Sequence, residues 1–352
     1  MSNTFPITKI ESSRFRDDLD FAFGKTFTDH MLVADYANGQ WEKVEIVPYQ
    51  PIPFEPSIMA IHYGQSIFEG IKAYVNNKGE VVIFRPDKNF KRFNESAERM
   101  QMPQLPEEIF IGGMKQLIAL DKAWIPKKEN YSLYIRPFMF ATDQYLGVRA
   151  SNTYKFIIIL SPSGPYFAAP AKILVEDEYT RAAPGGTGRA KNAGNYGASL
   201  RAAADAQKQG FDQVLWTDPY EHKWLQEVGA MNVMFVLNDT IVTPSLEEGT
   251  VLDGVTRDSV ITVLKEMGKT VEERKINIDE LVQAYQNNSL SEAFGTGTAA
   301  VISPIRQLTY KGEDMIFNTD HMPVASELAQ RLAAIRSGEA EDKYGWIVKV
   351  EG

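Results

Sequence analysis

Apolar and polar positions change rhythm several times along this chain, and the changes outline its elements. In 31-MLVADYANGQWEKVEIVPY-49 two apolar-rich runs flank Asn38-Gly39, which predicts a hairpin with a tight turn. A second hairpin is expected in 71-IKAYVNNKGEVVIFRP-86, turning at Asn77 to Gly79. Pro86 then stands where a helix can start, because the first helical turn has no use for the missing N–H. Beyond it Phe90, Phe93, Ala97 and Met100 recur at helical spacing, with Arg92 off that stripe. Strand-like runs follow at 131-YSLYIRPFMF-140 and 154-YKFIIIL-160.

The segment 161-SPSGPYFAAPA-171 interrupts these patterns with Pro, Ser, Gly and Ala and is the best linker candidate. It suggests an N-terminal domain over 1–162, a linker over 163–172 and a C-terminal domain over 173–352. The second part opens with a strand, 172-KILVEDE-178, and a glycine-rich loop. A helix is expected at 198–209, closed by Gly210. Short β runs follow at 213–218, 231–237 and 240–244, the last two flanking Asn238-Asp239. Helical patterns lie near 256–267, 278–287 and 324–336. Strands and helices do not alternate in strict βαβ order. The pattern therefore predicts an α+β, two-domain fold rather than a doubly wound parallel sheet.

Composition narrows the chemistry. The 352 residues suffice for two cores. A formal net charge of -9 argues against nucleic-acid and anionic-membrane partners, which need a basic face, and favours small-molecule partners. With no cysteine in the chain, disulfides, thiolate metal sites and a cysteine nucleophile are excluded. His30, His62, His222 and His321 share no metal-ligand spacing, so no metal is expected. The N-terminal stretch has no apolar core of signal-peptide length, and no run reaches the length of a membrane span; a cytoplasmic location is expected.

The stretch 184-PGGTGRAKNAGNYG-197 places five glycines around one lysine, Lys191. Ordered glycine is entropically costly, so the loop needs a reason. It is not a phosphate-binding P-loop, which would put Ser or Thr after the lysine where this chain has Asn192. It is not a dinucleotide fingerprint either, since no glycine follows Gly186-x-Gly188 at the required place. Two readings remain open on spacing alone: a solvated surface turn, or a buried lysine reactive enough to form a Schiff base. Glycine loops acting as anion nests in a non-catalytic phosphate- or nucleotide-binding protein would explain Gly185 to Gly188 and Gly295 to Gly297. They would not explain Lys191, Tyr196 and Glu227 together.

The loop, together with 226-QEVGAMN-232, 252-LDGVTRDS-259 and 294-FGTGTAA-300, resembles the branched-chain amino acid aminotransferases of fold-type IV. The pieces 23-FGKTFTDHMLVADY-36, 62-HYGQSIFEGIKAY-74 and 134-YIRP-137 resemble that family's first domain. The resemblance runs from about residue 20 to about residue 340. It implies a smaller N-terminal α/β sandwich domain and a larger C-terminal domain with a pseudo-barrel. It also implies pyridoxal 5'-phosphate as cofactor, and reversible transfer of the amino group of L-leucine, L-isoleucine or L-valine to 2-oxoglutarate.

The resemblance also assigns residues. Lys191 would carry the cofactor and later move the proton between substrate and cofactor. Tyr196 would bond the cofactor's phenolic oxygen, and Glu227 would face its pyridine nitrogen. Arg92, Val255, Thr256 and Thr298 would hold its phosphate. Phe23, Tyr63, Phe68, Tyr134 and Tyr166 match an aromatic wall around an aliphatic side chain, where burial is worth about 0.8 kcal/mol per methylene. Arg136 matches a residue that accepts the distal carboxylate of glutamate, and the backbone at Thr298 and Ala299 one that holds the α-carboxylate. Leu146 and Val148 match residues that reach the neighbouring subunit's pocket, which implies a homodimer.

Two departures stand out. Ala230 replaces a threonine found in many animal-type members, which removes a hydroxyl near the substrate. The span Ala300-Val301-Ile302-Ser303 lacks the Cys-x-x-Cys pair of some members. The nearest alternatives are other fold-type IV enzymes, a D-amino acid aminotransferase or an aminodeoxychorismate lyase.

Overall fold

The computed structural model describes residues 4–16, 18–128, 130–165, 169–299 and 301–351. Tyr166 and Ala300, named above, lie outside the described residues. The fold is α+β. The chain forms two compact units: 1–166 with 190–194 and 334–352, and 167–189 with 195–333.

The first unit holds an eight-stranded sheet. Its strands are β1 (His30–Ala37), β2 (Gln40–Pro48), β3 (Ser66–Phe68), β4 (Ile71–Val75), β5 (Val81–Phe84), β6 (Ser132–Ala141) and β7 (Tyr154–Ser163), completed by the last strand of the chain, β17 (Ile347–Val350). The order is β17-β5-β4-β6-β7-β1-β2, with β3 beside β6. Both expected hairpins are present. Asn38 and Gly39 connect β1 to β2 with φ of 53° and 79°, the positive values that a two-residue turn of this hand requires. Because β17 pairs with β5, the C-terminal segment joins the first unit, which is thereby no smaller than the second.

Helices α1 (Met59–Tyr63), α2 (Pro86–Arg99) and α3 (Gly113–Leu120) belong to this unit. Phe93 and Ala97 of α2 bury their side chains in one core with Ile71, Ala73, Leu133 and Ile135, as the helical stripe predicts; Phe90 and Met100 pack on its edge. Side chains alternate along a strand, so Tyr134 and Arg136 of β6 project from the opposite face to Leu133 and Ile135.

The second unit holds a nine-stranded sheet. Its strands are β8 (Ala171–Val175), β9 (Gln213–Thr217), β10 (Leu225–Val228), β11 (Asn232–Leu237), β12 (Thr240–Pro244), β13 (Thr270–Arg274), β14 (Leu290–Gly297), β15 (Val301–Tyr310) and β16 (Glu313–Ile316). The long strand β15 is the joint. Its first residues pair antiparallel with β14, and its later ones pair parallel with β8. One strand shared this way curls the sheet into a half-barrel. Helices α4 (Ala193–Lys208), α5 (Val255–Glu266), α6 (Ile278–Gln286) and α7 (Pro323–Ser337) complete the chain. Helix α4 begins at Ala193, earlier than the sequence pattern suggests, which puts Tyr196 in its first turn.

The turn from β9 to β10 is held by one carboxylate. Asp218 accepts the N–H groups of Tyr220 and Glu221 on one oxygen and those of Lys223 and Trp224 on the other, at 2.9–3.0 Å. Burial alone would raise its pKa, but the four donors outweigh it and bring it down to about 2. Asp218→Ala is expected to lower stability by about 2–4 kcal/mol at pH 7, read from chemical denaturation. A depressed folded pKa gives a contribution present above the unfolded value near 3.8 and lost as pH falls towards 2. The gap between wild type and variant should therefore narrow across that window.

Candidate active site

In the first unit the predicted residues gather around Phe68. The backbone of Lys191 is pinned on both sides: its N–H donates to Ser96 Oγ at 2.9 Å, and its carbonyl accepts the N–H of Phe68 at 3.0 Å. Asn192 forms a bridge with Ile67 of β3. Lys191 Nζ lies 4.8 Å from the centre of the Phe68 ring. The side chain is half-buried rather than fully buried.

Arg136 shares that ring, with its guanidinium 4.8 Å from the Phe68 centre and 5.2 Å from that of Tyr134. Its Nη2 donates to Tyr134 Oη at 2.9 Å, while its buried Nε has no hydrogen-bond partner among the described residues. Phe23 packs edge-on against Tyr134 at 4.8 Å. A glycine is required beside this cluster, because a Cβ on Gly70 would lie 2.2 Å from Tyr134 Oη. Phe23, Phe68, Tyr134, Arg136 and Lys191 are thus brought together as the sequence suggests.

Arg92 is not a solvated helix arginine. It is 6% exposed, and its Nε and Nη2 donate to the two oxygens of Glu69 at 2.7 and 2.8 Å. Burial would raise the Glu69 pKa, but the Arg92 charge, assisted by Lys191 and Asn89, holds it below the usual carboxylate range. Asn89, Arg92 and Ser96 form a buried polar stripe on α2. Sequence reasoning assigned no role to Glu69, Asn89 or Ser96. The i, i+3, i+7 spacing of Asn89, Arg92 and Ser96 along one helix was the available signal.

Tyr63, Leu146 and Val148 form a separate, exposed group. Tyr63 donates its hydroxyl to the Leu146 carbonyl. Leu146 and Val148 are 74% and 85% exposed, beside the exposed Ile61 and Tyr145.

In the second unit Glu227 sits on β10, 3% exposed, and is therefore no solvated strand-end carboxylate. Its Oε1 accepts the Leu252 N–H at 2.7 Å and lies 3.4 Å from Arg181. Arg181, which the sequence did not single out, also reaches the carbonyl of Thr250. Helix α5 starts at Val255 after Gly254 with no side-chain cap, and Val255 and Thr256 are buried. A buried helix start without a capping side chain leaves N–H donors for an anion. Near it, Asn232 donates to the Leu252 carbonyl at 2.9 Å, and its strand neighbour Thr296 has a buried hydroxyl with no hydrogen-bond partner. Thr298 and Ala299 are half-buried in the turn after β14, Tyr196 is half-buried on α4, and Ala230 is exposed in the turn after β10. The glycine loop packs tightly in this unit: a Cβ on Gly188 would lie 2.8 Å from the Thr250 carbonyl oxygen.

These donors fit a phosphorylated cofactor with an acidic partner for a ring nitrogen. An uncapped helix start and an orphaned hydroxyl suit a phosphate, and a buried, hydrogen-bonded carboxylate suits a pyridinium. Such a set suits a pyridoxal-phosphate enzyme. The profile of amino-transferase class IV matches residues 66–308. The chain is 50% identical over 339 residues to branched-chain-amino-acid aminotransferase 2 of Bacillus subtilis, covering 95% of this chain and 93% of that one. Among solved structures, the branched-chain amino acid aminotransferase of Escherichia coli superposes with a TM-score of 0.77 at 27% identity, covering 92% of this chain and 99% of that one. A second solved branched-chain amino acid aminotransferase, complexed with N-(5'-phosphopyridoxyl)-L-glutamate, superposes with a TM-score of 0.73 at 27% identity, covering 90% and 98%. The chain belongs to the class IV aminotransferases and, within them, to the branched-chain amino acid aminotransferase family.

Proposed function

We propose that this protein transfers the amino group of L-leucine, L-isoleucine or L-valine to 2-oxoglutarate, reversibly, with pyridoxal 5'-phosphate as cofactor. The observation that carries the reading is Lys191, fixed by its backbone between Ser96 and Phe68, with its amine on the Phe68 ring that Arg136 also covers. When bound, the cofactor supplies an aldehyde carbon for an amine and a ring that accepts electrons.

The chain's own residues do the rest. Lys191 would hold the cofactor's aldehyde carbon, and its free amine would be the base placed to take the proton from the substrate Cα. Glu227, buried and fixed by the Leu252 N–H, keeps the ring nitrogen protonated. Tyr196 orients the phenolic oxygen. Arg92 in the first unit would suit the phosphate, and so, in the second, would the first turn of α5 at Val255 and Thr256 with Thr298. Phe23, Phe68 and Tyr134 would line an aliphatic side chain. The partnerless Nε of Arg136 suits the distal carboxylate of glutamate. Thr298 and Ala299 hold the α-carboxylate, and Ala230 leaves the pocket without a hydroxyl.

Two kinetic results are expected. Initial rates at varied leucine and 2-oxoglutarate give parallel double-reciprocal lines, since the two half-reactions share one site in turn. L-leucine turns over far faster than D-alanine. Intersecting lines, or preference for D-alanine, would favour another fold-type IV activity.

The reading includes a homodimer in the cytoplasm. The exposed Tyr145, Leu146 and Val148, close together along one loop, support the dimer, because exposed apolar patches mark interaction surfaces. Light scattering should give twice the chain mass of 39.5 kDa; a monomer at micromolar concentration would remove this part of the reading.

A further inference from the structure

We propose that Glu69 is a positioning residue for the cofactor phosphate: its carboxylate fixes the plane of the Arg92 guanidinium from which that phosphate is gripped. The inference rests on the function proposed above and adds a residue to it.

Glu69 is fully buried between β3 and β4. One oxygen takes Arg92 Nε at 2.7 Å. The other takes Arg92 Nη2 at 2.8 Å, Asn89 Nδ2 at 2.7 Å and the Gly70 N–H at 3.1 Å. Its own backbone N–H is tied to the Pro137 carbonyl at 2.8 Å. A carboxylate held by so many donors is a poor acid or base, so it is not a proton carrier. Stability does not account for it either. Buried ion pairs roughly break even against apolar residues of the same volume.

What the pair does provide is geometry. A two-pronged contact through Nε and Nη2 sets the guanidinium plane, and therefore the direction of its remaining donors. The same short segment fixes the cofactor-bearing residue. Phe68, the neighbour of Glu69, donates its N–H to the Lys191 carbonyl. The spacing between phosphate grip and reactive amine is thus set by residues 68 and 69 together. A site that must hold two ends of one molecule gains from such pre-organisation.

The test compares two ligands that differ only in the phosphate. Dissociation constants of pyridoxal 5'-phosphate and of pyridoxal are measured on apoprotein of the wild type, Glu69→Gln and Glu69→Asp. The Gln variant keeps the shape and removes the charge; the Asp variant keeps the charge and withdraws it by one methylene. The wild type should prefer the phosphorylated ligand strongly. That preference should fall by about tenfold or more in Glu69→Gln, and by less in Glu69→Asp, while pyridoxal binding stays near the wild-type value. In an Arg92→Gln background, Glu69→Gln should bring no further fall in the preference. If both ligands weaken equally, or the preference survives in both variants, Glu69 is structural and the inference is overturned. Failure of the wild type to bind pyridoxal 5'-phosphate at all would instead overturn the function on which it rests.

Discussion

Replacing Lys191 with alanine should leave a folded protein whose transamination is at least about 10⁴-fold slower. The fold should survive because the anchors of this residue are backbone groups. The Ser96 and Phe68 hydrogen bonds use the Lys191 N–H and carbonyl, which alanine also has. Activity should not survive, because in the proposed reaction one amine both holds the cofactor and moves the proton, and no methyl group can do either. Lys191→Arg makes a second comparison. It keeps the positive charge near Glu69 but has no amine that forms a Schiff base, so it should be as inactive as alanine. Residual activity in either variant above about one per cent of wild type would mean that another residue carries the chemistry.

Glu227 has the second largest expected effect, and two substitutions separate its roles. Glu227→Ala takes the carboxylate away from the buried Arg181, which keeps only carbonyl contacts, and leaves the Leu252 N–H without its acceptor. Breaking a buried pair in this way costs about 3–5 kcal/mol, so the variant should melt well below wild type and be nearly inactive. Glu227→Gln still accepts from Leu252 but carries no charge to keep a ring nitrogen protonated. It should retain most of the stability and still lose activity by about 10²–10³-fold, a loss comparable to removing one preorganised electrostatic group. A Gln variant as active as wild type would show that the charge of Glu227 is not used in the reaction.

Much of the fold was legible in the sequence because local signals were strong. Asn38-Gly39 and Asn238-Asp239 sit between apolar runs, and both become two-residue turns. The strand runs of β6 and β7 are long and apolar. Strands β13 and β17 were not foreseen. The residues of β13, TVEER, are mostly exposed and show no apolar alternation, and β17 is short and pairs with β5, a strand from the early part of the chain. Strands β14 and β15 were not foreseen either: Gly295, Gly297 and Pro304 break the apolar run, yet they lie in the ladder between the two strands. Strand β7 extends through Ser163, and β8 begins at Ala171.

The site was legible in a different way. Motif resemblance singled out Lys191, Arg92 and Glu227 as candidates, which hydrophobic periodicity would have passed over. Neither route found the partners that fix them. Glu69, Asn89 and Ser96 are polar residues buried by tertiary packing, and a search for the apolar stripe of this helix sees only Phe90, Phe93, Ala97 and Met100. Arg181 lies far from Glu227 in sequence and meets it only once β10 is in place.

The visible absorbance of the purified protein, recorded before and after L-leucine, tests the central claim most directly. The predicted result is a yellow band after incubation with pyridoxal 5'-phosphate that bleaches with L-leucine and returns with 2-oxoglutarate. A protein that stays colourless after that incubation, or a band that L-leucine leaves unchanged, would contradict it.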